Sequence, residues 1–145
     1  MNWRELILGL LPQAELGGPA DEAELAAVER ALGQPLPAGL ADLLRACDGV
    51  VGRHGTDVVW SAGRIARDNA ELRNSPELAA LYMPFEPLLF FGDNGGGDRF
   101  AAVRIPPRPD VFVWDHETDT RAWAAAGLED YLRRTLPASG DWYRH

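Results

Sequence analysis

The chain has 145 residues, of which 46% are hydrophobic and 25% are charged, and its formal net charge is −8 at pH 7. This apolar content excludes an intrinsically disordered chain, and the length suits one core, so we expect a single domain over residues 1–145. The negative charge repels phosphate backbones, and the 14 basic residues are scattered along the sequence. We therefore expect no direct binding to nucleic acid and favour a basic protein partner.

The sequence has one cysteine, Cys47, so no intramolecular disulfide and no repeated Cys-x-x-Cys metal motif can form. We expect a buried thiol. The N-terminus carries Glu5 and reaches Pro12 after a short apolar stretch, which is not the pattern of a signal peptide. No apolar run approaches the roughly 20 residues that cross a bilayer. These features predict a cytoplasmic protein, and the use of Arg without Lys is typical of a GC-rich bacterial genome.

Three helices are predicted in the first third of the chain. Apolar residues recur at helical spacing in three groups: Trp3, Leu6, Ile7, Leu10 and Leu11; Leu25, Val28 and Leu32; Leu40, Leu43, Leu44 and Cys47. Asp21 and Glu24 have the three-residue offset of a capping box at the start of the second helix. Pro12, Gly33 and Gly49 follow the predicted helix ends.

The rest of the chain is predicted to contain short strands, two more helices and a closing helix. β-Branched and aromatic runs predict strands at residues 50–52, 57–60, 88–91, 99–105, 111–114 and 120–123. Residues 64–81 favour helix, and the interruption at residues 74–76 predicts two short helices. Leu128, Tyr131, Leu132 and Leu136 then have helical spacing before Pro137, while residues 17–20 predict a loop.

Helices come first, consecutive strands follow, and one helix closes the chain, without alternating strand and helix units. This order is typical of an α+β domain. We therefore predict a mainly antiparallel sheet packed with helices, with N-terminal helices preceding the strands and one C-terminal helix. In residues 111–114 both alternating faces are apolar, which predicts an interior strand covered by helices on at least one side.

A glycine-rich segment, residues 92–98, joins two predicted strands, and three consecutive glycines are costly in backbone entropy. We favour a tight hairpin in which Asp93 and Asn94 form Asx-type hydrogen bonds and the glycines adopt positive φ. A phosphate loop is disfavoured because no Gly-Lys-Ser/Thr ending or following helix is present and two carboxylates flank the segment. A calcium loop is disfavoured because the acid spacing fails after the first position. Protein recognition by the loop stays open.

A second polar segment follows the strand predicted at residues 111–114. His116 lies there among three acids, and histidine beside carboxylates is a candidate general base or metal ligand. No second histidine has ligand spacing, because His54 lies in another loop and His145 is the last residue. We favour a polar turn that closes a hairpin, with His116 bonded locally, over a catalytic site.

Acids from these two segments follow neighbouring strands, so we expect them to gather on one edge of the sheet. An acidic edge would steer a basic partner and raise its association rate more than its affinity. A surface that is acidic only because the whole chain is acidic is an equally open interpretation. The residues predicted to contact a partner are Asp93, Asn94, Asp98, Asp115, His116, Glu117 and Asp119. No catalytic residue, metal ligand or cofactor is predicted.

Three segments, in order along residues 21–136, resemble the Smi1/Knr4 (SUKH) family. The first is the helix at residues 22–33, followed by Leu36-Pro37 and a helix closed by Asp48-Gly49. The second is Phe91-Gly92-Asp93-Asn94-Gly95-Gly96-Gly97-Asp98-Arg99-Phe100, and the third is Val111-Phe112-Val113-Trp114-Asp115-His116-Glu117. They are similar to the family's Glu-containing helix ending in Leu-Gly, its Gly-Gly-Asp turn between strands and its strand ending in Trp-Asp-His-Glu.

The resemblance implies an α+β binding scaffold rather than an enzyme. In bacteria this scaffold is commonly an immunity protein that neutralises a polymorphic or contact-dependent toxin, often a nuclease, while fungal relatives regulate cell-wall synthesis and signalling. We therefore expect an immunity protein whose acidic turns meet a basic toxin domain. A regulatory interaction scaffold with another partner is the alternative. An enzyme built on His116 with Asp115 or Glu117 is the least favoured hypothesis.

Overall fold

The structure is a computed structural model that describes residues 1–138 and 142–144. Within these residues it has six α-helices and two antiparallel sheets, which confirms the predicted α+β class. The helices are α1 (Trp3–Leu10), α2 (Glu22–Leu32), α3 (Ala38–Ala46), α4 (Ala62–Asn74), α5 (Pro76–Leu81) and α6 (Leu128–Thr135). The strands are β1 (Glu15–Leu16), β2 (Val50–Val51), β3 (Asp57–Val59), β4 (Leu88–Asp93), β5 (Arg99–Arg104), β6 (Pro107–Asp115) and β7 (Thr120–Ala125).

The three predicted N-terminal helices are confirmed. The Asp21 side chain accepts a hydrogen bond from the Glu24 N–H over 2.8 Å, and the Glu24 side chain accepts one from the Asp21 N–H, so the predicted capping box starts α2. Gly33 ends α2 with a φ of 64°, a left-handed conformation that glycine adopts without steric penalty. Cys47 follows α3 and is a buried free thiol, as predicted.

The small sheet has the order β1-β2-β3 and contains a strand that periodicity did not predict. β1 has only two residues, too few for an alternating pattern, and it becomes a strand by pairing Glu15 with Val51. β2 and β3 lie where strands were predicted. The break at residues 74–76 also separates two helices as expected, and the Ser75 side chain accepts a hydrogen bond from the Leu78 N–H at the start of α5.

The large sheet has the order β4-β5-β6-β7, and each strand is antiparallel to its neighbour. The β4–β5 and β6–β7 connections therefore lie at the same end of the sheet. β6 is an interior strand, as predicted, but it begins at Pro107 rather than at Val111. Its first residues include two prolines, which predict a turn in sequence but are tolerated at a solvent-exposed strand end.

A close approach of backbones joins the two sheets. The Trp60 N–H donates to the Phe91 carbonyl over 2.7 Å, and the Tyr131 hydroxyl of α6 donates to the Val58 carbonyl over 2.7 Å. A Cβ at Gly92 would collide with that Val58 carbonyl, so only glycine fits there. These contacts hold β3 and the residue that follows it beside the end of β4.

Helices cover the large sheet, and one of them clips its edge strand. Asn69 of α4 is 1% exposed, its amide donates to the Phe90 carbonyl over 2.8 Å, and its carbonyl accepts from the Phe90 N–H over 2.8 Å. From the other terminus α6 buries Tyr131 and Leu132, and burial raises the pKa of Tyr131 well above its ordinary value. Among the described residues, no helix has the length and apolar character needed to cross a bilayer.

Candidate functional site

The glycine-rich segment forms the turn of the β4–β5 hairpin. Asp93 Oδ1 accepts a hydrogen bond from the Gly95 N–H over 2.8 Å, and Asn94 Oδ1 accepts one from the Gly96 N–H over 2.8 Å. Gly95 and Gly97 have φ of 83° and 110°. The predicted hairpin with Asx-type bonds is therefore confirmed, whereas of the three consecutive glycines only Gly95 and Gly97 have the expected positive φ.

Asp93 connects this turn to the small sheet. Its Oδ2 accepts a hydrogen bond from Trp60 Nε1 over 2.8 Å and one from Arg64 Nη2 over 3.3 Å. Arg64 also pairs with Asp57 over 2.8 Å and with Asp68 over 2.9 Å, and it lies 4.3 Å from the centroid of the Trp60 ring. Asp93 is thus bonded within the protein, and an arginine compensates its charge.

Asp119 holds the β6–β7 turn in a similar way. Its carboxylate accepts hydrogen bonds from Trp114 Nε1 over 2.8 Å, the Met83 N–H over 3.0 Å and Arg121 over 3.2 Å. Burial raises the pKa of Asp119, but these three donors outweigh burial, so the pKa lies below its ordinary value. Its φ of 58° is a left-handed conformation that aspartate tolerates better than most residues.

Asp98 lies just before β5 in a recess that the C-terminal tail covers, and its side chain is only 2% exposed. One carboxylate oxygen lies 2.9 Å from His116 Nδ1, and the other accepts hydrogen bonds from the Tyr143 hydroxyl over 2.6 Å and Arg144 over 2.7 Å. Because a carboxylate only accepts, Nδ1 of His116 carries the donated proton. Burial raises the pKa of Asp98, but these donors outweigh it, and the pKa is lowered overall.

His116 bonds across the two hairpins rather than locally, and glycine makes this possible. Its ring packs against the turn, where a Cβ at Gly97 would lie 2.6 Å from its Cε1 atom. Asp115 accepts the Glu117 N–H over 2.9 Å and lies 3.6 Å from Arg144. Glu117 is the most open of the predicted acids, with 78% of its side chain exposed.

The C-terminal tail, residues 142–144, packs at this end of the sheet, a role that no sequence pattern predicts. The Trp142 ring stacks on Phe100 with centroids 5.6 Å apart and an angle of 8° between planes. Trp142 Nε1 also donates to Thr135 of α6 over 3.1 Å. The available signal was a pair of aromatic residues and an arginine after Pro137, too short a segment for any periodicity.

Asp98, Asp115 and His116 have side-chain ligand atoms within 4.8 Å of one another, so they are the described residues that could hold a metal ion. Arg144 bonds Asp98 and lies near Asp115, so its guanidinium supplies the positive charge at this position. We therefore assign these groups to a hydrogen-bond network rather than to a metal centre.

Residues 19–134 match the sequence model of the SMI1 / KNR4 family (SUKH-1). The chain belongs to this family. The predicted resemblance is therefore confirmed. The family is generally non-catalytic, and membership of this chain in it is consistent with a protein of the immunity type. No curated protein matches the chain.

The SUKH fold of this chain brings all seven predicted site residues to one end of the large sheet, as the strand order requires. All seven lie inside the family match, whereas the tail at residues 142–144 lies outside it. Asp93, Asp98 and Asp119 are bonded inside the protein, and Glu117 faces solvent. Their contact with a partner stays a prediction.

Proposed function

We propose that this SUKH protein is a cytoplasmic immunity protein that binds a cognate polymorphic or contact-dependent toxin and neutralises it by steric and electrostatic blocking. The observation that carries the proposal is the family match over residues 19–134. The net charge of −8 supports a basic partner, such as the catalytic domain of a nuclease. A neutraliser of this kind needs no catalytic residue, because covering the toxin's substrate site is sufficient.

We place the contact surface at the acidic end of the large sheet, defined by the β4–β5 and β6–β7 turns. Glu117 is exposed there, and Asp115 is partly exposed beside it. The carboxylates of Asp93, Asp98 and Asp119 add to the negative electrostatic potential of this surface, but the arginines bonded to them reduce that contribution. We therefore expect Glu117 to contribute most to steering a basic surface, with an effect on association rate that falls as salt rises.

The test is co-expression of the chain with the toxin encoded beside its gene. We expect relief of toxicity and co-elution of the two proteins on gel filtration. Unrelieved toxicity together with no complex would remove the proposal. A stable complex with a protein that is not a toxin would support the alternative, a regulatory scaffold.

A charge reversal then locates the surface. Glu117→Arg should slow association about tenfold at low salt, since one rim charge acts mainly on association rate. The matched control is Glu86→Arg, an exposed acid just before β4 and therefore at the opposite end of the sheet. Equal association rates for the two variants would show that the acidic turns are not the contact surface.

A further inference from the structure

The recess around Asp98 is built by one part of the chain and filled by another. Its walls are Asn94, Asp98, Phe100, Asp115 and His116, which all lie inside the family match at residues 19–134. Its occupants are Trp142, Tyr143 and Arg144, which lie outside that match.

The buried carboxylate of Asp98 requires donors. A carboxylate that is 2% exposed is costly unless charged or polar groups bond to it. His116 bonds one oxygen, and the tail supplies two side-chain donors to the other, the Tyr143 hydroxyl and the Arg144 guanidinium. The recess therefore has the chemistry of a receptor for an arginine next to an aromatic ring.

Contacts within the family-matched region hold the walls of the recess. The Asn94 amide oxygen accepts from the N–H groups of Gly96 and Asp98, at 2.8 and 3.1 Å, which orients its NH₂ group toward the Tyr143 hydroxyl 2.9 Å away. The His116 ring is seated on Gly97. Such preorganisation lowers the entropy cost of binding and favours recognition of one kind of side chain.

We propose that this recess is a binding site for an arginine-bearing, aromatic segment of the partner protein, and that residues 142–144 occupy it in the free chain as an intramolecular competitor. The inference rests on the proposed function only for the identity of the partner as a protein toxin. A tethered segment acts at an effective concentration in the millimolar range, so the partner's segment must outcompete the tail. The tail thereby restricts the site to strong or multivalent partners.

A peptide titration tests the recess without any toxin. The probe is a fluorescein-labelled peptide with the sequence of residues 143–145, which leaves out Trp142 because the variant keeps its own Trp142 on Phe100, and the readout is fluorescence anisotropy. The full-length Tyr143→Ala/Arg144→Ala variant leaves Trp142 on Phe100 and should bind the peptide at least about tenfold more tightly than the wild-type chain, whose own tail competes. The matched control is Arg133→Ala, an exposed arginine of α6 bonded to Glu129, which should bind like the wild type.

A change in the peptide provides a second test and requires no further change in the protein. A peptide with alanine in place of the arginine should lose about tenfold in affinity for the double variant. The single Arg144→Ala variant, a change at a half-exposed side chain, serves if circular dichroism shows that the double variant is unfolded. Peptide binding no tighter than to the wild type, or equal binding of both peptides, would overturn the inference.

The outcome separates this inference from the proposed function. If the chain neutralises its toxin but the folded tail variant does not bind the peptide, the immunity function is supported and the recess is not a binding site. If the tail variant binds the arginine peptide but the chain neutralises no toxin, the recess is supported as a binding site and the immunity function is not.

Discussion

Asp119 and Asp98 lie at the same end of the large sheet, but different parts of the chain hold them. Asp119 is bonded by Trp114, Met83 and Arg121, which all belong to the family-matched region. Asp98 takes two of its side-chain donors from the C-terminal tail beyond that region. Asp93 resembles Asp119, because it also joins a tryptophan indole to an arginine.

This difference separates two acids whose donors belong to the body of the domain from one acid whose donors come partly from the tail. Removing Asp119 or Asp93 leaves donors of the fold itself without an acceptor, so both carboxylates are needed whatever the protein binds. Displacement of the tail would remove two side-chain donors of Asp98 and leave its bond to His116. The same residue type at the same end of the sheet therefore serves two purposes.

The largest expected effect is from removing the structural acid. Asp119→Ala should lower the free energy of unfolding by about 3 kcal/mol, because the buried Trp114 indole and the Met83 N–H lose a charged acceptor. Urea denaturation measures the change. Asp119→Asn, which keeps an acceptor and tolerates positive φ, should be affected less. Equal losses in both variants would mean that the hydrogen bonds are not the cause.

A substitution in the glycine turn should disturb the surroundings of Asp98 rather than those of Asp119. Gly97→Ala should cost about 2 kcal/mol, because it forces alanine into a φ of 110° and displaces His116 from Asp98. Gly96→Ala is the matched control, since its Cβ would meet only Asn94 side-chain atoms at 3.6 Å or more. Thermal unfolding should separate the two variants, and identical melting curves would contradict the assigned geometry.

The stability that Asp98 contributes should depend on pH. The pKa of Asp98 is lower in the fold than its value of about 3.9 in the unfolded chain, so the charged carboxylate stabilises the protein at pH values above that unfolded pKa. This stabilisation is lost as the pH falls through the lower pKa of the folded state. Asp98→Asn should cost about 1 kcal/mol at pH 6. The difference in the free energy of unfolding between this variant and the wild type should shrink below about pH 4, which urea denaturation at several pH values would measure. A gap that grows with acid would contradict the sign.

The smallest effect is expected at the exposed acid. Glu117→Arg should change the free energy of unfolding by less than about 0.5 kcal/mol, because its side chain is 78% exposed. The same urea titration checks this value. A larger loss would show that Glu117 supports the fold, so its effect on association could no longer be attributed to steering.

Local chemistry determined most of the elements from sequence. The capping box of Asp21 and Glu24, the break at residues 74–76 and the apolar run at residues 111–114 each act over a few residues, so they are visible without the fold. The Gly95 and Gly97 conformations were predictable for the same reason. The order of the strands then placed the two acidic turns at one end of the sheet.

Tertiary structure alone decided how each of those acids is used. Whether a carboxylate faces solvent or an indole depends on partners far away in sequence, such as Trp60 for Asp93. β1 exists only because β2 lies beside it, and the tail reaches Asp98 from 46 residues away along the chain. Such contacts leave no periodic pattern, because they depend on where separate elements meet rather than on local backbone preference.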